Sequence, residues 1–293
     1  MENLLASQNV PKETDVKQRK MWTLDHFDVG GPLGEGKFGK VVAARHRGSR
    51  FLLAMKVLSK TQIEKYDMVT QLEREITIQY HLSHKNILRL YGYFHDETRL
   101  YILLEYAGRG NLFDQMKKSK KFRPGRAAFY IDQVVNALEY CHERNVFHRD
   151  LKLENLLLTE QDQIKLADFG WSVQNTKQDR RSTTCGTLDY ISPEMIAELP
   201  HDHSVDNWSV GVLLYEFLEG RTPFAAEGLA ETVKNIQEVK YTFPDDFPAG
   251  ARDIVSRLLI ADNTKRMALT DVMKHEWVIQ ESAGYLQQKT KSS

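Results

Sequence analysis

Two kinds of hydrophobic pattern divide the chain. Up to about residue 104, short apolar runs alternate with turn residues, which is typical of β-strands. The predicted strands are 27–29, 41–44, 52–58, 84–90 and 100–104. One helical stretch, 71–78, interrupts them, and from residue 111 onward apolar residues recur at helical steps apart from a predicted hairpin of 156–158 with 164–166. The pattern favours an α+β fold whose strand-rich part comes first.

The two ends of the chain lack this periodicity. Residues 1–22 are polar and mixed in charge, and residues 279–293 are also polar. Such segments bury too little apolar surface to offset the entropy of ordering. We therefore expect a flexible N-terminal tail, an ordered region 23–278 and a mobile C-terminal tail.

Composition narrows the class of protein but does not identify it. The 293 residues are 41% hydrophobic, and 40 Lys and Arg balance 40 Asp and Glu, so no overall charge favours nucleic acid or an anionic membrane as a partner. Cys141 and Cys185 are too few for a disulfide framework. No apolar run approaches the roughly 20 residues of a membrane span. We expect a soluble intracellular protein with no direct nucleic-acid or membrane partner.

A glycine-rich turn lies between the first two predicted strands. Gly34, Gly36 and Gly39 lack a Cβ, so backbone N–H groups there can approach phosphates closely. A dinucleotide-binding Rossmann turn has the same glycine spacing but requires a helix directly afterwards. Because the strand-like run 41–44 follows instead, we interpret the turn as a flap over nucleotide phosphates.

Lys56 stands alone in the apolar run 52–58. Such a lysine either extends to the edge of the sheet or pairs with a carboxylate. The helical stretch 71–78 offers two candidates, Glu73 and Glu75. On the residues alone both candidates stay open.

The most informative chemistry is His-Arg-Asp-Leu-Lys-Leu-Glu-Asn at 148–155, followed by Asp168-Phe169-Gly170. Asp150 is predicted to accept the proton of an attacking hydroxyl, and Lys152 to lie beside the transferred phosphoryl group. Asn155 and Asp168 are predicted to hold Mg²⁺. These groups suit phosphoryl transfer from ATP.

With these motifs the sequence resembles the eukaryotic protein kinases. The resemblance implies a bilobal fold: an N-lobe of about 23–104 with an antiparallel sheet and one key helix, a hinge at 105–108 and a mainly helical C-lobe of about 109–278. It favours Glu75 as the partner of Lys56, and it implies that ATP and Mg²⁺ bind where the motifs converge in one cleft. The nucleotide-binding residues that it implies are Leu33, Gly34, Gly36, Gly39, Val41, Ala54, Lys56, Leu104, Glu105, Ala107, Glu154, Asn155, Leu157 and Asp168.

Further expectations follow from the same resemblance. Asp206 should brace the backbone of the catalytic loop, and Glu194 should pair with Arg266. Gln79 stands where an apolar residue is usual, so we expect its polar group to need a water or a binding partner.

The run 201–203, His-Asp-His, is not interpreted as a metal site, because three adjacent residues on a helix or strand do not all face one ion.

Trp171-Ser172 after Gly170 and Arg-Arg-Ser-Thr at 180–183 are similar to the Aurora family of mitotic serine/threonine kinases. The short N-terminal tail favours the B/C branch. This likeness implies a role in mitosis, chromosome segregation and cytokinesis, with basic substrates such as histone H3-like tails. It also implies an activating subunit of the inner centromere protein type within the chromosomal passenger complex. The expected locations are the nucleus, chromosomes or centromere, spindle or spindle midzone, and cytoplasm.

Thr183 matches the activating phosphothreonine of that family, with Ser182 and Thr184 as rival sites. Arginines at positions −3 and −2 from Thr183 predict autophosphorylation in trans. The predicted phosphate clamp is Arg74, Arg149 and Arg181.

Two features bear on the substrate and on the alternatives. Glu154 is the candidate acceptor for a substrate arginine at position −2. For an arginine at position −3, basophilic kinases place an acidic residue where this chain has Asn111. We therefore expect a milder preference for arginine at −3, unless Asp114 compensates.

A pseudokinase scaffold is the nearest rival to an active kinase. Such scaffolds typically lack at least one of the five catalytic residues, and all five are present: Lys56, Glu75, Asp150, Asn155 and Asp168.

Overall fold

A computed structural model describes residues 22–36, 39–170, 172–174 and 188–292. The described residues form two compact units, one of those up to Ser83 with Leu88–Ala107 and one of His84–Ile87 with those from Gly108 onward. The first unit is built on a sheet and the second is mainly helical, which confirms the predicted α+β fold. The boundary after Ala107 falls inside the predicted hinge.

The first unit contains a five-stranded antiparallel sheet in the order β1-β2-β3-β5-β4. Its elements are β1 (Phe27–Gly36), β2 (Gly39–His46), β3 (Leu52–Ser59), α1 (Lys60–Lys65), α2 (Val69–His81), β4 (Leu90–His95) and β5 (Arg99–Leu104). One face of the sheet carries an apolar core that includes Leu53 and Met55 of β3. Because successive side chains of a strand point to opposite faces, Ala54 and Lys56 belong to the other face.

The second unit is assembled around a buried helix. Its elements are α3 (Leu112–Ser119), α4 (Pro124–His142), β6 (Val146–Phe147), β7 (Leu156–Leu158), β8 (Ile164–Leu166), β9 (Val173–Gln174), α5 (Pro193–Ile196), α6 (Ser204–Glu219), α7 (Leu229–Gln237), α8 (Ala249–Leu258), α9 (Leu269–Lys274) and α10 (Glu276–Ser292). Helix α6 is almost wholly buried, as expected for a core helix, and Asp206 and Asn207 are buried together with its apolar residues. It ends at Gly220, whose φ of 76° suits glycine.

The hairpin of β7 and β8 matches the sequence prediction at both strands. The predicted strand at 84–90 is wrong, because β4 begins only at Leu90 and residues 84–87 form a loop of the second unit. There Asn86 Nδ2 donates to Gln133 Oε1 at 2.8 Å and to the carbonyl oxygen of Ile164 at 3.0 Å. The alternating apolar residues reflect burial of a loop and not of a strand.

The predicted mobile C-terminal tail is also wrong for the residues that the structure describes. They lie in α10, which packs on α4. The ring of Tyr285 lies 5.2 Å from that of Phe129, and a Cβ added at Gly125 would lie 3.2 Å from the carbonyl oxygen of Glu281. A close helix contact and one aromatic pair thus order a polar segment. Residues 1–21 of the predicted N-terminal tail lie outside the described residues.

None of the helices in the described part of the chain combines the length and apolar character that crossing a bilayer requires.

Candidate active site

In the first unit, Lys56 is paired with Glu75 of α2. Lys56 Nζ lies 3.1 Å from Glu75 Oε1, and the two side chains are 31% and 14% exposed. Of the two carboxylates that the sequence offered, the structure therefore selects Glu75. In the sheet, Lys56 stands opposite Val41 of β2 and Ile102 of β5. This ion pair joins the sheet to α2.

The three glycines of the turn are not equivalent. A Cβ at Gly34 would meet nothing within 4 Å, and one at Gly36 would meet only the Gly39 carbonyl oxygen at 3.9 Å. A Cβ at Gly39 would instead overlap the carbonyl oxygen of Val57 on the neighbouring strand. Gly34 and Gly36 are therefore open to a ligand, whereas the sheet itself requires Gly39.

Several of the predicted nucleotide-binding residues lie on the Lys56 face, in the connection after β5 or in β1. Ala54 is buried and pairs in register with Leu104, and Val41 is half-buried. The N–H of Glu105 donates to the Arg89 carbonyl oxygen at 2.8 Å, so that donor is not available to a base. Ala107 is half-buried, and Leu33 is 46% exposed.

In the second unit, the catalytic loop forms one hydrogen-bonded set. Lys152 Nζ donates to both carboxylate oxygens of Asp150, at 3.0 and 2.8 Å. Asn155 Nδ2 donates to the Asp150 carbonyl oxygen at 2.8 Å and to Asp150 Oδ2 at 3.0 Å. The Asp150 side chain is only 7% exposed. Its charge is therefore compensated and its orientation fixed on both sides.

Asn155 and Asp168 have the oxygen donors that Mg²⁺ prefers. The amide nitrogen of Asn155 is bound to Asp150, so its amide oxygen is the atom left for a cation. Asp168 is exposed and has a φ of 66°, which is unusual for a residue other than glycine. The N–H of Ala167 donates to the Asn155 carbonyl oxygen at 2.9 Å, which links the two segments. These residues fit a hard cation bound together with phosphates.

Asp206 of α6 braces the catalytic loop, as predicted. Its carboxylate accepts the N–H of His148 at 2.9 Å and that of Arg149 at 2.8 Å, and Arg149 has a φ of 64°. His142 Nε2 also lies 2.7 Å from Asp206 Oδ2. Burial opposes ionisation of Asp206, but the contact with His142 and the N–H of Arg149 outweigh it and lower the pKa of Asp206. The sequence analysis missed His142, which shows in sequence only as a polar residue ending an apolar helix.

His148 connects this loop to the turn at Asp168. Its side chain is fully buried, and its Nε2 lies 3.1 Å from the carbonyl oxygen of Ala167, which can only accept. Nε2 therefore carries the hydrogen, and Nδ1 accepts the N–H of Asp150 at 3.4 Å. The ring also meets the buried ring of Phe169 edge to face at 5.1 Å. His148 orients both segments, a role that the sequence analysis did not assign.

Arg266 and Gln79 each have a hydrogen-bond partner within the chain. Arg266 forms a bidentate pair with buried Glu194, at 2.6 and 2.7 Å, which confirms the predicted anchor. Gln79 is buried, but its Nε2 donates to the carbonyl oxygen of Leu88 at 3.0 Å. The expectation that Gln79 needs a water or a partner is therefore wrong for this amide nitrogen, because the chain supplies an acceptor.

A cluster of acidic side chains lies around buried Tyr190, beside the last turn of α6. Glu154 is exposed, and Glu216 of α6 accepts a hydrogen bond from the hydroxyl of buried Tyr190. Burial raises the pKa of Glu216 to about 7, and the charges of Glu154 and Asp189 add to this effect against the Tyr190 bond. The sequence analysis named Glu154 and missed Glu216. Leu157 of β7 is half-buried in the same unit.

The predicted phosphosite lies outside the described residues. Thr183, its rivals Ser182 and Thr184, and Arg181 fall within 175–187. Of the predicted clamp, Arg74 lies on α2 in the first unit, and Arg149 precedes Asp150 in the second.

The sequence is similar to known proteins over most of its length. A family model described as "Protein kinase domain" matches residues 27–278. Aurora kinase A-A of Xenopus laevis is 50% identical over 273 residues, covering 93% of this chain and 66% of that protein. Aurora kinase C of Mus musculus is 48% identical over 270 residues, covering 92% and 98%. Serine/threonine-protein kinase Aurora-2 of Arabidopsis thaliana is 48% identical over 264 residues, covering 89% and 93%.

The chain spans just under two thirds of the length of the Xenopus relative. The relatives named A-A and C have nearly the same identity to it, 50% and 48%. These values do not favour one branch, so assignment to the B/C branch stays a prediction.

Proposed function

The chain belongs to the protein kinase family and, within it, to the Aurora kinases, and we propose that it transfers the γ-phosphoryl group of ATP to serine or threonine side chains of proteins. The observation that carries this proposal is the hydrogen-bonded set of Asp150, Lys152 and Asn155, linked through Ala167 to the turn at Asp168. Such positioned groups are what phosphoryl transfer requires of a protein.

In this mechanism each residue has a role that follows from its contacts. Asp150 accepts the hydrogen of the substrate hydroxyl, because its carboxylate is held in place by Lys152 and Asn155. Lys152 balances the charge of Asp150 and contacts the phosphoryl group. Asn155 and Asp168 would hold Mg²⁺, which supplies charge neutralisation on the phosphates when it is bound with ATP.

The pair of Lys56 and Glu75 gives the first unit its share of the reaction. Glu75 holds the Lys56 ammonium at 3.1 Å, so the lysine is oriented before phosphates arrive. Lys56 then contacts the α- and β-phosphates, while backbone N–H groups near Gly34 and Gly36 approach them without a Cβ in the way. Movement of α2 would separate the pair and lower activity.

Substrates are proposed to be basic at position −2. Support comes from the acidic group of Glu154, Asp189 and Glu216, whose mutual repulsion an arginine would relieve. Asn111 caps α3, with its Oδ1 accepting the N–H of Asp114 at 2.8 Å. A neutral side chain committed to a cap fits a mild preference at position −3.

Activation is proposed to follow phosphorylation of Thr183 in trans, with the phosphate held by Arg74, Arg149 and Arg181. Mass spectrometry of active protein should find phosphate on Thr183, and phosphate confined to Ser182 or Thr184 would overturn this choice.

By family membership we also propose an activating subunit of the inner centromere protein type, histone H3-like substrates and action at mitotic chromosomes and the spindle. A pull-down from mitotic cells tests the partner.

The catalytic proposal is tested with ATP, Mg²⁺ and a serine peptide that has arginines at −3 and −2. Wild type should transfer phosphate only with Mg²⁺ present, Asp168→Asn should abolish the transfer, and a matched tyrosine peptide should be a poor acceptor. Equal rates for wild type and Asp168→Asn would contradict the assignment and favour a nucleotide-binding scaffold.

A further inference from the structure

One buried carboxylate of the second unit has no part in the proposed chemistry. Asp162, in the turn between β7 and β8, is 4% exposed. Its Oδ1 accepts hydrogen bonds from Arg109 Nη1 at 2.6 Å and from the Tyr130 hydroxyl at 2.8 Å. Its Oδ2 accepts from the Tyr285 hydroxyl at 2.6 Å. Four parts of the unit therefore meet at this carboxylate: the hairpin turn, the segment before α3, α4 and α10.

Asp162 is charged although it is buried. Burial opposes its ionisation, but the hydrogen bonds from Tyr285 and Tyr130 and the charges of Arg126 and Lys289 outweigh burial and lower the pKa of Asp162. Its φ of 66° lies in the left-handed region, which Asp adopts more readily than most residues other than glycine. The chain thus keeps a charged acceptor in the turn because several donors stabilise it.

Two of the donors come from α10, one turn apart. Besides the Tyr285 bond, Lys289 Nζ donates to the carbonyl oxygen of Gln161 at 2.6 Å and lies 3.7 Å from Asp162 Oδ2. The kinase family model ends at residue 278, so both residues lie beyond the part of the chain that it matches. The C-terminal helix therefore holds the hairpin turn through residues additional to the matched domain.

The hairpin carries this restraint to the candidate metal ligands. Strand β7 begins directly after Asn155, and β8 ends two residues before Asp168. The strands pair from Leu158 with Ile164 to Leu156 with Leu166, and the N–H of Ala167 donates to the Asn155 carbonyl oxygen. A change at the turn is thus transmitted along three paired positions to the segments that carry both ligands.

We propose that Tyr285 and Asp162 are positioning residues through which the C-terminal helix sets the placement of Asn155 and Asp168, and hence the affinity for magnesium nucleotide. This inference rests on the proposed function. Docked α10 holds the hairpin in register, and release of α10 loosens the hairpin and weakens Mg·ADP binding. The C-terminal helix is in this sense part of the nucleotide-binding apparatus.

Tyr285→Phe tests the proposal, because it removes one hydroxyl and keeps the ring against Phe129. In full-length protein, we expect amides of β7 and β8 to exchange about tenfold faster, since a hydrogen bond to a buried charge is lost. Calorimetric titration should give about threefold weaker binding of Mg·ADP. The matched control is Leu286→Ala, the next residue of α10, whose side chain is 45% exposed; it should change neither quantity.

The outcomes separate the alternatives. Unchanged hairpin exchange in Tyr285→Phe would overturn the proposal, and so would faster exchange with unaltered Mg·ADP affinity, because the bond would then be structural only. Faster hairpin exchange and weaker Mg·ADP binding in Lys289→Met, with larger changes in the double variant of Tyr285→Phe and Lys289→Met than in either single variant, would support it. If wild type bound Mg·ADP but phosphorylated no peptide, the proposed function would fail, while exchange and affinity would still decide the role of α10.

Discussion

The two units hold their candidate catalytic residues in different ways. In the first unit an ion pair, with side chains 31% and 14% exposed, joins Lys56 to Glu75. In the second unit Asp150 is bound by Lys152 and Asn155, and the loop is braced by Asp206, which is fully buried. Asp206 alone accepts two backbone N–H groups and contacts His142.

This contrast indicates which contacts of the site can change. The pair is part-buried and joins one strand to one helix, so its loss leaves fewer groups without a partner than loss of a member of the buried network. A buried network leaves several polar groups without partners if one member is lost, so it resists change. We infer that regulation acts on the pair in the first unit, whereas the loop in the second unit stays fixed.

The largest effect is expected from breaking the fixed side. Asp206→Ala leaves buried amides of His148 and Arg149 and the His142 ring without their acceptor, so the free energy of unfolding should fall by about 3–5 kcal/mol. Urea unfolding followed by circular dichroism measures this quantity. The matched variant Asp206→Asn, which retains an acceptor, should lose less. A loss below about 1 kcal/mol in Asp206→Ala would mean that the brace is not important.

A smaller effect comes from the second carboxylate of α6. Folding raises the pKa of Glu216 to about 7 from its ordinary value of 4.5. The folded state therefore holds an extra proton between these values, and stability should decline as pH rises from 4.5 through 7, by at most about 3 kcal/mol. Thermal unfolding of wild type and Glu216→Gln between pH 4.5 and 8 checks the sign. The variant should show a weaker decline, and equal profiles would argue against a shifted Glu216.

The smallest effect on folding is expected on the adjustable side. Glu75→Gln removes the charge that orients Lys56, so kcat/KM should fall about tenfold, equal to about 1.4 kcal/mol of transition-state stabilisation. The unfolding midpoint should fall less than in Asp206→Ala, because one part-buried ion pair is lost and no backbone N–H group loses its acceptor. Glu73→Gln on the same helix is the matched control. A large loss of stability in Glu75→Gln would place the pair with the fixed elements instead.

Sequence reasoning succeeded where a local pattern decided the structure. The apolar strands of the hairpin at 156–158 and 164–166 follow from short apolar runs on either side of a turn. The pairing of Lys56 with Glu75 did not follow from the local pattern alone, because the family resemblance was needed to choose between two carboxylates. Contacts between distant segments were not visible in this way. The residues of α10 are mostly polar, and their order depends on Tyr285 reaching Asp162, 123 positions away in sequence.

The errors have the same origin. Ile87 and Leu88 resemble part of a strand, but each is buried in a different unit. Gln79 resembled an unsatisfied polar group because its acceptor, the carbonyl oxygen of Leu88, is a backbone atom that no side-chain pattern reveals. His142 and Glu216 acquire their roles only from the burial around Asp206 and Tyr190.

We propose that Asp150, held by the fixed loop, accepts the proton of the substrate hydroxyl. Replacing Asp150 with asparagine removes that acceptor and tests this role. Rates of phosphate transfer to an arginine-containing serine peptide are compared for wild type and Asp150→Asn at saturating Mg·ATP, with the unfolding midpoint of both proteins recorded. We expect kcat to fall by about 10²- to 10⁴-fold in a variant that stays folded at the assay temperature, with a midpoint lowered by the loss of one acceptor of Lys152 and Asn155. Transfer by Asp150→Asn at the wild-type rate would contradict it.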